Sequence, residues 1–536
     1  MNANGDAGER SVDRQWNRAQ RYIVEGQFSS ACAALEALLV RSSHSVQARL
    51  LLSSVYLKLE RMKDACVQLV EAAKIPIDEM ANLYKLAFCL HKLGETKVMH
   101  DCLERPEIGE CPGELLARFA QLHQLLGQHE RALALMNRAL ELGHDNPDFR
   151  YYRALQLQFN GRTGEAKDEL EACLRSGPTH GRAWLALARM RKQTPQDNHL
   201  KSIATQLQLV EPGSEHEAAL EFARFKELDD LDRRDEAWQA LERGNAIMAA
   251  RLPHDVPAER RRCAAMMELC DARFLGIADG ASSDDGPRPI FIVGMPRSGT
   301  TLLDRILGNH SQVASPGELP DFPNQLRWTA DMYGADPGSG IADAKLSDCL
   351  RNAFDYRLLG SRYLQQSRWR AHGKPFYVDK LPANFMLAGL IHRALPEARI
   401  LAMRRDPMDI CYSNWKAYFG DAYAYSYRID TLAEHHSQYE KVMSHWRKEM
   451  PDALLDVDYA ALVESPELVA ARVMEFCGLP FEAGCADITR NRKPVSTLSS
   501  PQVREKIHHR ALGDWLRYEK QLEPLRLAVE TTSAET

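Results

Sequence analysis

Between Pro289 and Glu318 the chain reads PIFIVGMPRSGTTLLDRILGNHSQVASPGE, a strand, a loop, a helix and then a single carboxylate. Pro289–Val293 is a short apolar, β-branched run suited to a buried parallel strand, and Gly294 breaks it. Leu303, Ile306 and Leu307 recur at helical spacing, so the loop before them predicts a helix N-terminus. Unpaired N–H groups and the helix dipole make such a place an anion site. Gly294 and Gly299 let backbone approach a phosphate closely, Ser298, Thr300 and Thr301 add donors, and Arg297 adds a charged fork. The G-x-x-x-x-G spacing is that of a Walker A loop, yet Thr300 and Thr301 stand where its Lys-Ser/Thr pair would follow. Without that lysine, and with no obvious apolar run ending in Asp to hold Mg²⁺, a P-loop nucleotide-dependent kinase is the weaker alternative.

Two later segments carry candidate cations. In FYVDKLPANF, Phe376–Val378 is strand-like and Lys380 emerges at its end. In RILAMRRDPMDICYSNW, a strand over Arg399–Met403 leads to a basic pair, then to Asp406-Pro407 as turn chemistry and a new helix. Arg405 and Ser413 lie eight residues apart. Arginine suits a phosphate gripped bidentately, and a serine hydroxyl completes the grip.

The motif PRSGTT after an apolar strand resembles the 5′-phosphosulfate loop of sulfotransferases that use 3′-phosphoadenosine 5′-phosphosulfate (PAPS). The resemblance covers about 245 residues from Pro289 and points to bacterial-type sulfotransferases that carry a tetratricopeptide array, related to the protein-tyrosine sulfotransferases. It implies PAPS as co-substrate and no metal. Glu318, 21 residues after Arg297, matches the family's base. Lys380, 25 residues before Arg405, matches the lysine that steadies charge on the leaving phosphate. The resemblance further assigns Arg405 and Ser413 to the 3′-phosphate, Tyr459 to adenine, Ser499 to transition-state support, and Ser500 and Gln502 to the nucleotide. The catalytic set it implies is therefore Glu318, Lys380, Arg297 and Ser499. Binding of the donor falls to Arg297, Ser298, Gly299, Thr300, Thr301, Arg405, Ser413, Tyr459, Ser500 and Gln502. The match is broken at Leu319-Pro320-Asp321, at Ala417, at Ala460 and at Asp514, so acceptor specificity is not carried over. The acceptor is a hydroxyl on a protein, peptide, sugar or small molecule. Trp415, Tyr418, Phe419, Tyr423, Tyr425 and Tyr427 could flank it or fill core. A repeat scaffold with an inactive nucleotide-binding domain is the other alternative.

The elements that must hold these residues begin with a repeat. A turn residue followed five positions later by Ala or Met recurs at Gly26/Ala31, Glu60/Ala65, Gly94/Met99, Gly127/Ala132 and Gly161/Ala166, at spacings of 34, 34, 33 and 34. Seven residues before each turn stands a small residue, Ala19, Ser53, Ala87, Ala120 or Ala154, where two helices would cross. This period resembles tetratricopeptide repeats, five of them, with a sixth whose turn at Thr194-Pro195 has degenerated and a last helical pair near Asp232–Ala250. The array could bind a protein partner. GIADGASSDDGPRP, rich in Gly, Ser, Asp and Pro, is the best boundary. The expected architecture is multidomain: an all-α tetratricopeptide-repeat solenoid over 12–275, a linker over 276–288, and an α/β P-loop-like sulfotransferase domain with a central parallel sheet over 289–530.

Composition fits such a chain. Its 536 residues exceed one hydrophobic core, and 45% hydrophobic with 26% charged residues is globular. A formal net charge of −6 argues against a general nucleic-acid surface. The polar N-terminus lacks a signal-peptide core and no run is long enough to span a membrane, so a cytoplasmic protein is expected. Twelve cysteines without metal spacing are expected to be reduced and mostly buried. The pairs His435-His436 and His508-His509 are expected in solvated or capping roles.

Overall fold

A computed structural model describes residues 3–277, 279–282, 286–333, 344–491, 493–494 and 505–533. Helical pairs fill the N-terminal half: Val46–Lys58 with Met62–Ala73, Met80–Lys92 with Thr96–Leu103, Gly113–Leu125 with His129–Glu141, and Pro147–Phe159 with Thr163–Ser176. The repeat positions explain the pairing. Each turn residue has a positive φ, 72° at Gly26, 57° at Glu60, 78° at Gly94, 75° at Gly127 and 78° at Gly161, which reverses the chain between two helices. Ala31, Ala65, Met99, Ala132 and Ala166 are each 0% exposed where the second helix returns onto the first. The sixth unit keeps its first helix, Gly181–Arg189, and its turn is replaced by an isolated bridge between Thr194 and Asp197. The stretch from Asp232 to Ala250 is one helix, Arg234–Arg251, whose partner is the preceding Glu215–Asp230. Asp232 turns the chain between them at φ 57°.

Contacts group the chain into two compact units. One comprises Met1–Leu142, Asp279–Ser282 and Leu319–Trp369. In it the third repeat is met by side chains from far along the chain. Glu95 pairs with Arg362 at 2.5 Å, Thr96 donates to Asp321 at 2.7 Å, and Gln325 donates to the Gly94 carbonyl at 2.8 Å.

The other unit comprises Gly143–Ala278, Ser283–Glu318 and Arg370–Thr536, and holds the sheet. Its strands are β1 (Arg288–Val293), β2 (Val313–Ala314), β3 (Phe376–Asp379), β4 (Arg399–Arg404) and β5 (Leu454–Asp458). They pair in the order β2-β3-β1-β4-β5, every pair parallel. β1 lies in the middle, so its residues 289–293 are buried on both faces and read as a continuous apolar run. The helices Thr300–Gly308 and Pro466–Phe476 bury Leu303, Ile306, Val473 and Met474 against Ile290, Leu401 and Val457 of the sheet.

One expectation is corrected in this unit. His435 and His436 are neither solvated nor capping; they are 7% and 2% exposed inside the helix Ile429–Glu449. Burial is tolerated because His435 Nδ1 meets the Glu259 carboxylate at 2.5 Å and its ring stacks on Tyr425 at 3.5 Å between centroids. All twelve cysteines are free thiols and ten are buried. Among the described residues no helix is long and apolar enough to cross a membrane, and no three His, Cys, Asp or Glu side chains form a metal-binding group.

Candidate functional site

Because all five strands run the same way, their carboxyl ends open on one edge, where open α/β sheets place ligands. The residues singled out in the sequence follow those ends one by one. β1 delivers the loop Gly294–Gly299, and Glu318 comes four residues after β2. β3 delivers Lys380, β4 delivers Arg405, and β5 delivers Tyr459. Ser413 lies on the helix Pro407–Trp415 that follows β4.

The loop is held from outside itself. Asn414 donates its side-chain amide to the Pro296 carbonyl at 2.8 Å, the Gly294 N–H donates to Pro382 at 3.2 Å, and Arg405 Nη1 donates to the Arg297 carbonyl at 2.9 Å. These bonds support an unfavourable backbone. Arg297 has a φ of 68°, a left-handed value costly for a long side chain, and Gly299 has 104°. A Cβ on Gly299 would meet the Tyr459 ring at 2.5 Å. The Ser298 hydroxyl is buried without a hydrogen-bond partner among the described residues, and so is Arg405 Nε. Arg405 also lies over the Tyr459 ring, 4.8 Å from its centroid.

A cavity of about 240 Å³ opens here, lined by Arg297, Gly299, Thr300, Thr301, Arg405, Ser413 and Tyr459. Seven of the expected donor-binding residues thus share one wall, and Ser298 is buried behind it. Cations outnumber carboxylates in the wall, Arg297, Arg405, Lys416, Lys506 and Arg510 against Asp409 and Asp514. Burial pushes the Arg297 guanidinium down to about 10, and repulsion from Arg405 and Arg189 adds to it, against a smaller opposing effect of Tyr459.

Lys380 is 1% exposed, and its backbone N–H donates to the Gly317 carbonyl at 3.1 Å, which locks the end of β3 to the residue before Glu318. Its ammonium stands 2.5 Å from the Glu318 carboxylate, whose side chain is 42% exposed. The charge of that carboxylate reaches Tyr423: burial raises the Tyr423 hydroxyl pKa well above the usual value, and Glu318 raises it further. Tyr423 too has a left-handed backbone, φ 55°. Of the six aromatics noted in the sequence, Trp415, Tyr418, Tyr425 and Tyr427 are buried, while Phe419 and Tyr423 stay half-buried.

Ser499, Ser500 and Gln502 lie outside the described residues. Sequence reasoning passed over three charged groups of this region. Asp409, 3% exposed, lines the 240 Å³ cavity; burial pushes its carboxyl up, while the Gly513 N–H at 2.9 Å and Arg405 act in the opposite sense. Asp304, 5% exposed, is raised by burial and drawn back by Lys380 and by the Ser315 hydroxyl at 2.7 Å. Arg189 belongs to a repeat helix, where WLALARM reads only as packing. Asp304 and Asp409 sit on apolar helical faces, and helical periodicity alone does not separate them from N-terminal charge.

A profile described as "Sulfotransferase family" matches residues 289–483, and tetratricopeptide-repeat profiles match residues 17–79 and 147–190. An uncharacterized protein of Aquifex aeolicus (strain VF5) is 30% identical over 338 residues, 61% of this chain and 43% of that protein. The chain therefore spans less than half the length of that relative. A Caenorhabditis briggsae protein named "Putative protein-tyrosine sulfotransferase" is 25% identical over 248 residues, 42% of this chain and 80% of the relative. Among solved structures, the sulfotransferase domain of the Synechococcus PCC 7002 olefin synthase covers 47% of this chain and 96% of its own at 20% identity, with a TM-score of 0.33. The chain carries a domain of the sulfotransferase family behind an array of tetratricopeptide repeats.

Proposed function

We propose that the protein transfers a sulfuryl group from PAPS to an acceptor hydroxyl, on a protein tyrosine, a sugar or a small molecule, with the repeats positioning the acceptor. The observation that carries this reading is the shared cavity of Arg297, Arg405 and Ser413 at the edge where Glu318 and Lys380 meet. The residues fit the donor. An unpartnered buried hydroxyl on Ser298 and an unpartnered Nε on Arg405 await acceptor atoms, the first turn of Thr300–Gly308 offers N–H groups, and Gly299 keeps open a space that a Cβ would close.

PAPS, when bound, supplies an activated sulfur whose bond to the phosphate oxygen breaks as the acceptor oxygen bonds to it, leaving adenosine 3′,5′-bisphosphate (PAP). Arg405 and Ser413 hold the 3′-phosphate, and Tyr459 packs on the base. Glu318 takes the acceptor's proton. That step has a second effect, because a protonated Glu318 no longer neutralises Lys380. The buried ammonium then turns its charge toward the leaving oxygen as negative charge develops there. Arg297 and Ser499 add to the same stabilisation.

Thr300 in place of the P-loop lysine weighs against phosphoryl transfer. Twelve free thiols support a reducing compartment, the cytoplasm. Calorimetric titration with PAP, ADP and AMP tests the reading. Preference for the 3′-phosphorylated nucleotide supports it, and equal or absent binding overturns it.

A further inference from the structure

A second cavity, about 880 Å³, adjoins the first and shares Arg297 and Ser413 with it. Much of its wall comes from the repeat helices Pro147–Phe159, Gly181–Arg189 and Glu215–Asp230. Its charged groups are mostly matched. Arg182 pairs with Glu215, which also accepts from the Tyr418 hydroxyl at 2.6 Å. Lys226 pairs with Asp230, Asp229 with Arg517, Lys416 with Asp514, Arg191 with Asp197, and Arg510 with Glu505.

Lys192 and Asp421 of the wall are exposed and unpaired among the described residues; the half-buried Arg189 too has no hydrogen bond and no ion pair among the described residues, and its polar neighbours are the phenols of Tyr151, Tyr418 and Tyr427. Burial pushes its guanidinium down to about 10, and it is one of the two cations that repel Arg297. Arg189 is half-buried and none of the wall's carboxylates pairs with it, which costs free energy in the free protein. An anion in the cavity would offset that cost.

Arg189 lines the larger cavity and is absent from the wall of the donor cavity. Phe419 in the larger cavity's wall packs edge-on against Tyr423 at 5.0 Å between centroids, and the charge of Glu318 reaches Tyr423. Resting on the sulfotransferase reading above, we infer that the 880 Å³ cavity is the acceptor subsite and that the repeat array contributes Arg189 to it as the residue recognising an anionic group carried by the acceptor. The repeats in this view supply part of the specificity of the transferase itself.

The test pairs each anionic acceptor with a neutral one of the same skeleton: 4-hydroxyphenylacetate against 4-hydroxyphenylacetamide, and glucuronate against glucose. PAP titration and thermal unfolding are run alongside on the full chain and on Arg189→Met and Arg189→Lys. The wild type should prefer the anionic member of at least one pair. Arg189→Met should collapse the anionic-to-neutral ratio of kcat/KM about ten-fold or more, the scale of one charge-assisted hydrogen bond, and Arg189→Lys should recover part of it. An unchanged ratio in a folded Arg189→Met, a wild type that favours the neutral member of both pairs, or PAP binding without transfer to either anionic acceptor would overturn the inference. Failure of the wild type to bind PAP would instead sink the donor reading on which it rests.

Discussion

Lys380 and Glu318 hold their charges 2.5 Å apart although one is 1% exposed and the other 42%. The buried cation thus has its counter-charge on the solvent side, where an acceptor would arrive. Replacing Glu318 by Gln keeps the shape and a hydrogen-bond acceptor for Lys380 but removes the base. The expected outcome is a fall in kcat of roughly 10²–10⁴-fold with PAP affinity largely kept. Single-turnover kinetics beside PAP calorimetry checks it, and lost binding with retained transfer would refute the assignment.

Arg405 is the group proposed to distinguish PAP from ADP. Arg405→Ala should weaken PAP by about 10- to 100-fold, the range of charge-assisted hydrogen bonds, while changing ADP affinity much less. A parallel loss for both nucleotides would mean that Arg405 only supports the loop through its bond to the Arg297 carbonyl.

Gly299 combines a φ of 104° with a Tyr459 ring 2.5 Å from where a Cβ would stand. Gly299→Ala should therefore cost about 1–3 kcal/mol and displace Tyr459 from the donor cavity. Differential scanning calorimetry should show a lowered Tm and titration a weakened PAP, both from one methyl group.

Glu259 supplies a pH test away from the site. Burial alone would raise its pKa, but hydrogen bonds to His254 at 2.7 Å and His435 at 2.5 Å outweigh burial and hold the carboxyl well below its usual value of 4.5. A depressed carboxyl stabilises the fold above its unfolded pKa, and that contribution fades as pH falls. Glu259→Gln should lower Tm near pH 7, with a cost of about 1–3 kcal/mol, and the gap from wild type should narrow below about pH 4.5. A gap independent of pH would show that Glu259 acts through packing alone.

What could be read in advance was whatever a local pattern enforces. The repeat turns showed because each needs a left-handed residue followed at a fixed distance by a buried Ala or Met, as at Gly94 and Met99. The strands showed because β1, flanked on both sides, must be apolar throughout. Lys380 and Arg405 were findable because each follows an inner strand directly, whereas Tyr459 follows the edge strand β5, LLDVD, and was reached by resemblance alone. Arg189 and Glu259 were not, since their surroundings are assembled by helices distant in sequence, and nothing within a turn of either residue marks it. The histidines failed for the same reason: His435 is buried only because Glu259, 176 residues earlier, receives it.

The same separation governs how the molecule is born. Glu95 finds its ion-pair partner in Arg362, 267 residues farther on. A ribosome needs roughly ten to fifty seconds to cover that distance at ordinary elongation rates. For that interval the nascent third repeat displays a carboxylate, a threonine hydroxyl and a helix-turn carbonyl whose finished contacts have not yet been synthesised. The first four repeats therefore complete their compact unit only after residues 319–369 have been translated, and a fragment ended at Leu142 lacks those contacts.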